Sequence, residues 1–345
     1  MSTGFAPVAA AGAVPPDPTK HVNYTLGMLL GVDDFNQEFA YLSGRDKWMA
    51  RDLDGYGTLW GLQVSWDTPA QGPCIMVTSG TALSPHGQLI CLPTAQCAFL
   101  NDWLKANQSR AASLEFSSPP GSWLNLWLVI YYRQCPVDPV PIAGEPCRAA
   151  SDLMANSRLA DDYCLDFRVA PPAQPEEEAV RDFIAWLDQI QITDTGPPTL
   201  FPTLDQFVTA LRASLTPLAS PLASPPDPGA YFHLGSPLNA VHVHPAAIGD
   251  YLRTAFRIWV TEIRPLFHAA FTSQPCSCAG PTPVEPTDEC LLLAEIEVPV
   301  VNSGPGQNWV VSDATKIVID ESHRPILLHS RMLQEWMQSG LRGGK

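Results

Sequence analysis

The stretch Trp123–Arg133, "WLNLWLVIYYR", decides the fold class. It is a nearly continuous run of aliphatic and aromatic residues of strand length, which predicts a central strand covered on both faces. A second run, "CLLLAEIEVPVV" at Cys290–Val301, has the same character and is its counterpart late in the chain. We therefore expect the two runs to belong to a single sheet.

Short apolar stretches separated by turn signals precede the first run. From Thr58 onwards the chain reads "LWGLQVSW", "CIMVTSGTAL" and "GQLICLP", with the turn "SPHG" at Ser84–Gly87 between the last two. Strand-length stretches that alternate with such turns are typical of a β-meander or hairpin. The core of the protein should therefore be mainly β.

The N-terminal block, His21–Val64, predicts a capped helix followed by a tight turn. Asp34 can cap the free amides at the helix start, and Gln37 can reach back from three residues further along. Gly44 weakens the helix, and "DGYG" at 54–57 ends it. The predicted helix has one apolar face, formed by Phe35, Phe39 and Leu42.

The middle of the chain changes to helical periodicity. The segments "PEEEAVRDFIAWLDQI", "TLDQFVTALRASL" and "PAAIGDYLRTAFRIWVTEI" each place apolar residues on one stripe, and the first has acidic residues in its first turn. We expect three amphipathic helices in one bundle-like subdomain. Their predicted stripes are Val180, Phe183, Ile184, Leu187 and Ile190, then Leu204, Phe207, Val208 and Leu211, then Ile248, Leu252, Phe256, Trp259 and Ile263.

These patterns predict an α+β protein. Its core is mainly β, meander- or sandwich-like, with an N-terminal capped helix and a helical insertion. Pro-rich stretches mark the connectors, and "RPILLHSRMLQEWMQSG" predicts a terminal helix. The predicted divisions are a flexible or partner-bound arm at 1–20, a helix plus β domain at 21–170, a helical subdomain at 171–272 with a linker at 214–230, and a connector, returning strand and C-terminal helix at 273–345.

Composition excludes several classes of partner. The 345 residues are 46% apolar and only 16% charged, with a net charge of −15 and five lysines. No basic stripe can therefore neutralise phosphates, which excludes nucleic acid and anionic membrane as partners. No apolar window reaches about 18 residues, so we expect no membrane insertion. Low charge with many apolar residues predicts a surface covered by other proteins.

The odd count of nine cysteines predicts reduced thiols and synthesis in the cytoplasm. The common nucleotide-binding, hydrolase and zincin signatures are absent from the sequence. We therefore expect no catalytic residue, cofactor or bound metal.

Two pairs of residues are the strongest candidates for metal binding. His242 and His244 in "HVHP" are two apart, so a strand would place both imidazoles on one face. The alternative is that His244 caps a helix that begins at Pro245. Cys276 and Cys278 in "CSC" offer two thiolates, but their spacing departs from the CxxC pattern that suits zinc.

Acidic residues suggest chemistry less strongly. "DLDG" at 52–55 resembles the opening of a calcium loop, yet Gln63 stands where a bidentate Glu is required, which excludes an EF-hand. The pairs Asp33/Asp34 and Asp161/Asp162 can share a proton or orient a water. The simpler interpretation is helix capping for the first pair and a solvated turn for the second.

Tryptophans spread along the chain are anchors for a core or for an interface. Nine of them are Trp60, Trp66, Trp103, Trp123, Trp127, Trp186, Trp259, Trp309 and Trp336.

The N-terminal block resembles a family of uncharacterised bacterial proteins encoded with extracellular contractile injection systems, which are phage-tail-like particles. The matching residues are Val22, Asn23, Tyr24, Gly27, Leu29, Leu30, Asp34, Phe35 and Glu38, followed by Leu53, Gly55, Gly57, Gly61, Leu62 and Val64. The chain departs from the pattern at "MARDLDGYG", where the family carries "HNR.LHGWG", and this puts a His-dependent feature there in doubt. Three further stretches, at 77–93, 131–167 and 324–336, also resemble this family. Together the matching blocks cover about half of the chain.

The resemblance implies a structural subunit of a contractile injection system, in or around the baseplate, that acts by protein–protein assembly. Implied partners are baseplate, sheath or spike proteins, with multiple copies in a symmetric assembly. Synthesis and assembly would be cytoplasmic, and the particle would be released or membrane-anchored. Two alternatives stay open: a glycan- or receptor-binding module of such a particle, and a metal-dependent hydrolase using His242, His244, Cys276 and nearby carboxylates.

Overall fold

A computed structural model describes most of the chain, which divides into two compact units. The described residues are 16–108, 122–141, 154–172, 174–188, 190–192, 203–214, 242–265, 290–302 and 309–335. One unit comprises Met1–Pro172 with Thr287–Lys345, and the other comprises Ala173–Pro286. Most of the predicted arm, most of the linker at 214–230 and the Pro-rich connector lie outside the described residues.

The first unit opens with a helix and two small antiparallel sheets. A 23-residue helix, α1 (Val32–Asp54), precedes six short strands and a second helix. The strands are β1 (Gly57–Gly61), β2 (Val64–Asp67), β3 (Cys74–Val77), β4 (Gly80–Leu83), β5 (Leu89–Leu92) and β6 (Gln96–Phe99), and the helix is α2 (Leu100–Ala106). One sheet has the order β1-β4-β5 and the other the order β2-β3-β6. The predicted hairpin across Ser84–Gly87 is confirmed, since β4 pairs with β5, but these six strands alternate between two sheets and do not form one continuous meander.

The central sheet is built from the two apolar runs. The first run lies in β7 (Ser122–Pro141), which pairs on one side with β8 (Met154–Arg168). On its other side, β7 pairs antiparallel with the later run, as Leu126 lies opposite Ile296. The sequence interpretation that both runs form one sheet is therefore confirmed, although the paired positions lie 161 residues (Leu291 and Ile130) to 178 residues (Val300 and Ser122) apart in the chain.

The helical insertion follows β8. It contains α3 (Pro175–Asp188), the short strand β9 (Gln191–Ile192), α4 (Leu204–Ser214), the short strand β10 (His242–Val243) and α5 (Ile248–Ile258). A single 3₁₀ turn (Pro245–Ala247) leads into α5, and a π-helical turn (Trp259–Ile263) follows it. The chain then returns to the central sheet through β11 (Leu291–Asn302), β12 (Trp309–Val311) and β13 (Val318–Asp320), and residues 330–335 are helical. The predicted α+β class, with a mainly-β core and a helical insertion, is confirmed.

A hydrophobic core joins the three sheets of the first unit. Alternate residues of β7 point into it, as strand periodicity requires. They are Leu124, Leu126, Leu128 and Ile130, and they pack with Ile296 and Val298 of β11 and with Ile75, Ile90 and Leu92 of the small sheets. The opposite face of β7 is covered less completely: Val129 is buried with Cys290 and Leu292, while Trp127 and Tyr131 are half-buried.

The helix start differs in detail from its prediction. α1 begins at Val32, and Asp34 is its third residue, not its cap. The Asp34 Oδ2 atom accepts from the Gly31 amide at 2.8 Å, because a short carboxylate at this position reaches the orphan amide three residues before it. Gln37 does not take part, since its side chain instead bonds the backbone of Asp17. The capping interpretation of the Asp33/Asp34 pair therefore holds for Asp34 only.

The predicted helix end is confirmed, and the glycines after it allow a close approach of the C-terminal segment. Gly57 has φ +151°, and a Cβ atom there would lie 2.9 Å from the Pro325 carbonyl carbon. Thr58 donates to the Pro325 oxygen and accepts from the Leu327 amide, both at 2.9 Å. A side chain at 57 would therefore push this backbone pairing apart.

Buried Arg324 fixes that segment to the first strands. Its Nε donates to the Thr58 Oγ1 at 2.8 Å, and its Nη atoms donate to the carbonyls of Leu62 and Gly61 and to the Glu321 carboxylate. Burial lowers the pKa of Arg324 from its ordinary value, although the Glu321 carboxylate opposes this effect. The N-terminal and C-terminal blocks therefore meet in one structure.

The prediction of a solvated turn at Asp161 and Asp162 is wrong. Both lie within β8, opposite Gln134 and Arg133 of β7. Asp161 accepts from the Tyr132 hydroxyl, and Asp162 pairs with Arg133. Two adjacent aspartates usually indicate a turn, but here their cross-strand partners stabilise them in an extended conformation.

The three predicted helices of the insertion share one hydrophobic cluster, as expected. Phe183 stacks against Trp259 at 4.9 Å between ring centroids, and Phe207 lies edge-on to Tyr251 at 5.0 Å. The buried stripe is nevertheless rotated from the predicted one. Val180, Ile184 and Phe256 are exposed, whereas Ala179, Trp186, Tyr251, Ala255 and Ile258 are buried.

Candidate interaction surface

Helix α1 turns its polar side towards the protein. Arg51 is the one buried residue of the helix. The residues just before α1 cover this side: Val22 donates its amide to the Glu38 carboxylate at 2.9 Å, and His21 stacks on Tyr41 with ring centroids 5.1 Å apart. At Gly44 a Cβ atom would lie 2.7 Å from the Pro18 Cβ, so this glycine allows the chain to pass close to the helix.

The opposite side of α1 carries six of its large apolar residues, and they are exposed. We call the following residues the α1 seam: Val32, Phe35, Phe39, Leu42, Met49 and Leu53. Their exposed fractions run from 52% to 78%. With Asp46 included, these positions are spaced by alternating steps of three and four residues, which is the heptad spacing of helices that pack along a common axis. The sequence analysis identified Phe35, Phe39 and Leu42 as one face but not its outward direction.

The segment before α1 extends this exposed apolar surface. Every residue from Asn23 to Gly31 is exposed. Five large side chains are among them: Tyr24, Leu26, Met28, Leu29 and Leu30. Leu26 and Leu29 are almost fully solvent-accessible, so neither packs on the described residues. We call the α1 seam together with these five residues the N-terminal apolar surface.

The C-terminal segment brings further exposed apolar residues near the end of α1. A Cβ atom at Gly55 would lie 3.6 Å from the Leu327 Cδ2 atom, so the two segments are neighbours there. Residues 328–335 are all exposed, including the helical residues 330–335. Large apolar residues of this segment with high exposure are Ile326, Leu328, Met332 and Leu333.

Physical chemistry favours a partner for this surface. Most helical stability in proteins comes from the packing of an amphipathic face, and contiguous apolar patches of this kind mark interaction sites. Complete burial of one Val, Leu, Phe or Met side chain contributes about 1.5–3 kcal/mol. Six such side chains on one helix face therefore offer enough free energy for a stable contact even after the entropic cost of association.

Only part of the metal site that the sequence suggests at His242 and His244 lies in the described residues. His244 precedes the 3₁₀ turn, and its Nδ1 accepts from the Ala246 amide at 3.1 Å. The capping interpretation of His244 is therefore confirmed, and that ring nitrogen is engaged. The His242 side chain, Cys276 and Cys278 lie outside the described part of the chain. Within that part, no group of three or more His, Cys, Asp or Glu residues is arranged to hold a metal ion.

A cavity of about 470 Å³ lies against β7 and β8, and charged side chains line part of it. Arg133 and Asp162 line it, together with Cys97, Cys164 and Trp103. Arg133 lowers the pKa of the Asp162 carboxyl to about 2, so this pair stays ionised at neutral pH. Because Asp162 is paired with Arg133, its carboxylate is not an unpaired base.

A nearby thiol is also unsuited to catalysis. The Cys135 Sγ lies 3.1 Å from the Asp162 Oδ2, and this hydrogen bond raises the pKa of the thiol. A thiol with a raised pKa is protonated at neutral pH and is a poor nucleophile. The cluster therefore acts as a cross-strand clamp.

The tryptophans separate into two groups. Trp186 is buried, and Trp103, Trp123, Trp127, Trp259 and Trp309 are half-buried, whereas Trp336 lies outside the described residues. Trp60 and Trp66 are exposed. Trp48 on α1, which the sequence analysis left out, is exposed as well. No sequence signal separates these exposed indoles from the packed ones, because burial depends on the tertiary fold.

No protein-family model matches this chain, and no curated protein matches it. Among the residues that the structure describes, no helix has the length and apolar character that spanning a bilayer requires.

Proposed function

We propose that this chain is a structural subunit of a phage-tail-like contractile injection system, in or around the baseplate, and that it acts by protein–protein assembly. The observation that supports this proposal is the exposed α1 seam, which presents six large apolar side chains on one face of a 23-residue helix. A face of this kind is typical of a helix that packs on another protein.

The residues that carry the family resemblance have two structural roles, and both fit assembly. Asp34, Gly55 and Gly57 shape the backbone at the ends of α1 and at the contact with the C-terminal segment. Others are exposed apolar residues, namely Tyr24, Leu29, Leu30, Phe35 and Leu53. A pattern that combines a defined backbone shape with exposed apolar side chains suits a docking element. The link to a contractile particle in particular rests on the resemblance to proteins encoded with such systems.

The proposal is tested by tracking the tagged chain into particles. We expect the wild-type chain to co-purify with sheath and tube proteins from the cells that produce it. Leu42→Glu should be lost from particles, because it places a charge in the middle of the seam. Leu89→Glu is the matched control, since Leu89 is 56% exposed and Leu42 is 55% exposed.

Two results would contradict the proposal. One is absence of the wild-type chain from intact particles, and the other is normal incorporation of Leu42→Glu. Circular dichroism of both variants checks that each remains folded, so that loss from the particle reports on docking.

The glycan-binding alternative has one observation in its favour. Trp60 on β1 and Trp66 on β2 are exposed, and indole rings stack on sugar faces. A glycan array probed with the full chain tests it, with Trp60→Ala as the comparison. Binding that is unchanged by Trp60→Ala, or an array without hits, rules against this function. The hydrolase alternative gains no supporting observation from the described residues.

A further inference from the structure

The spacing of the α1 seam indicates what kind of surface covers it. Alternating steps of three and four residues place side chains along one stripe that faces a second helix of the same pitch. Val32, Phe39, Asp46 and Leu53 take the a positions of the heptad, and Phe35, Leu42 and Met49 take the d positions. The occupant that this surface fits is therefore a helix with a complementary seam. This step rests on the proposed assembly function.

The flanking charges identify that helix. The g positions next to the seam hold Glu38 and Arg45, so the two carry opposite charges seven residues apart. In an antiparallel pair of coiled helices, g positions of the two chains face each other. A register that places Phe39 opposite Leu42 also places Glu38 opposite Arg45, and the two-fold symmetry forms this ion pair twice. α1 is thus complementary to itself.

A parallel arrangement is less favourable for two reasons. It places Glu38 beside Ser43 and Arg45 beside Ala50, so neither charge finds an opposite charge. It also brings the two Asp46 carboxylates face to face at an a position, where like charges repel. The antiparallel register separates these carboxylates by about 16 Å along the helix axis, which exceeds the screening length in physiological salt.

The alternative antiparallel register is excluded by the same charges. Sliding one helix by a heptad places Phe39 opposite Met49, but it sets Arg45 against Arg45 and Glu38 against Asp52. Both flanking pairs are then repulsive. Only the first register satisfies the flanking charges, and it overlaps the two helices over about 18 residues, or about 27 Å.

The charged groups can make these contacts without breaking those that they have. The Glu38 Oε2 accepts from the Val22 amide, so its second oxygen can accept from another chain. Arg45 donates from Nη1 to the Tyr41 hydroxyl, and its guanidinium has further N–H groups. Arg45 is also exposed, and Glu38 is half-buried.

We propose that the α1 seam from Val32 to Met49 is covered by α1 of a second copy of this chain, antiparallel, with Phe39 opposite Leu42 and Glu38 paired with Arg45 of the second copy. The assembly unit is then a two-fold symmetric dimer with an isologous helix–helix contact.

Charge-reversal variants of the full chain test the pairing. Glu38→Arg and Arg45→Glu should each weaken self-association at least about tenfold, because both copies of the ion pair become repulsive. A 1:1 mixture of the two variants should associate again as a heterodimer, since each Arg then faces a Glu. Sedimentation velocity on the two variants, alone and mixed, measures this. A mixture that stays as weakly associated as its components overturns the proposal.

Orientation is tested by photo-crosslinking from within the seam. Benzoylphenylalanine in place of Val32 should crosslink to the region around Met49 of the second copy, as peptide mass spectrometry would show. A crosslink from position 32 to the region around Val32 of the second copy indicates a parallel pair and overturns the proposal. Position 89 serves as the control and should give no intermolecular crosslink.

The oligomeric state of the wild-type chain and the incorporation of Leu42→Glu into particles together separate this inference from the proposed function. If the wild-type chain is monomeric at high micromolar concentration while Leu42→Glu is lost from particles, the surface docks on a different protein, so the self-pairing is wrong and the assembly function stands. If the chain dimerises through α1 but Leu42→Glu enters particles normally, the pairing is right and the proposed function fails.

Discussion

Helices α1 and α5 each have an apolar face, but the two faces point in opposite directions. α5 buries Tyr251, Ala255 and Ile258 in the cluster of its own unit. α1 buries Arg51 and exposes its apolar seam. Periodicity therefore identifies an apolar face in both helices, but it does not tell whether that face packs inside the chain or on a second one.

The difference arises from what lies against each helix. The polar side of α1 is satisfied by the backbone of residues 17–22, through the side chains of Gln37 and Glu38. α5 faces aromatic side chains instead, since Phe183 and Phe207 pack against its residues and those of the following turn. A helix that meets backbone amides turns its polar side inwards, and one that meets aromatic rings turns its apolar side inwards.

The largest expected effect is in the helical unit. Phe183→Ala should lower the free energy of unfolding of that unit by about 3–5 kcal/mol, because a fully packed aromatic side chain is lost and a cavity remains. Urea unfolding followed by tryptophan fluorescence measures it. Ile184→Ala on the exposed side of the same helix is the control and should cost less than about 1 kcal/mol. Equal effects of the two variants would contradict the packing described for α3.

The next largest effect concerns the contact that positions the end of α1. Arg324→Met should cost about 3 kcal/mol, because the buried carbonyls of Gly61 and Leu62 lose their charged donor. Thermal unfolding of the full chain measures this loss. Arg331→Met, at an exposed arginine paired with Glu335, should change stability by less than about 0.5 kcal/mol. If Arg324→Met left the stability unchanged, this network would not hold the two segments together.

A glycine between α1 and β1 should show a smaller effect. Gly57→Ala should cost about 2 kcal/mol, because an L-residue is strained at this φ and its Cβ would collide with the Pro325 backbone. Gly27→Ala separates the two causes: Gly27 has φ +85° but no atom within 4 Å of a Cβ. If both variants cost the same in chemical denaturation, the close approach of Pro325 contributes nothing.

The pH dependence of the helical unit gives a further test. Burial, with the Asp182 carboxylate, raises the pKa of Glu178 from its ordinary 4.5 to about 7. The folded form therefore binds more protons than the unfolded form between pH 4.5 and 7, so stability falls as pH rises through this window. Glu178→Gln should flatten this fall and stabilise the unit at pH 8 by about 1 kcal/mol, after allowance for solvent screening. Unfolding of both proteins at pH 5 and pH 8 measures it, and parallel losses would contradict it.

The smallest effect on folding belongs to the seam. Phe39→Ala should change the free energy of unfolding of the monomer by less than about 0.5 kcal/mol, because this side chain is mostly exposed. The measurement must be made at nanomolar concentration, below the range in which the chains associate. The same variant should abolish association at micromolar concentration. A large loss of monomer stability would show that the α1 seam packs within its own chain.

Prediction from sequence was best where a pattern repeats over many residues. The runs that form β7 and β11 are recognisable as strands of one sheet, because a long apolar run has few other ways to be covered, whereas their direct pairing comes from the structure. Short signals were less reliable. Asp161 and Asp162 were assigned to a turn, since the cross-strand partners Tyr132 and Arg133 that hold them in β8 are invisible in the local sequence.

The candidate site was only half visible in the sequence. Phe35, Phe39 and Leu42 were identified as one helix face, whereas Met49 and Leu53 were not joined to it. The capping role of His244 was correctly expected, because a histidine before Pro245 is a local signal. Arg324 was not singled out, because its partners Thr58 and Leu62 lie more than 260 residues away in the chain.

The sequence by itself determined the α+β class, the strand runs, the helical insertion and the turn glycines, because each depends on contacts between near neighbours or on the period of the apolar residues. Only the tertiary structure decided that the apolar face of α1 points outwards. The reason is that the direction of a helix face is set by the atoms packed against its other side. Here those atoms are the polar backbone groups of Asp17 and Val22, bound by Gln37 and Glu38.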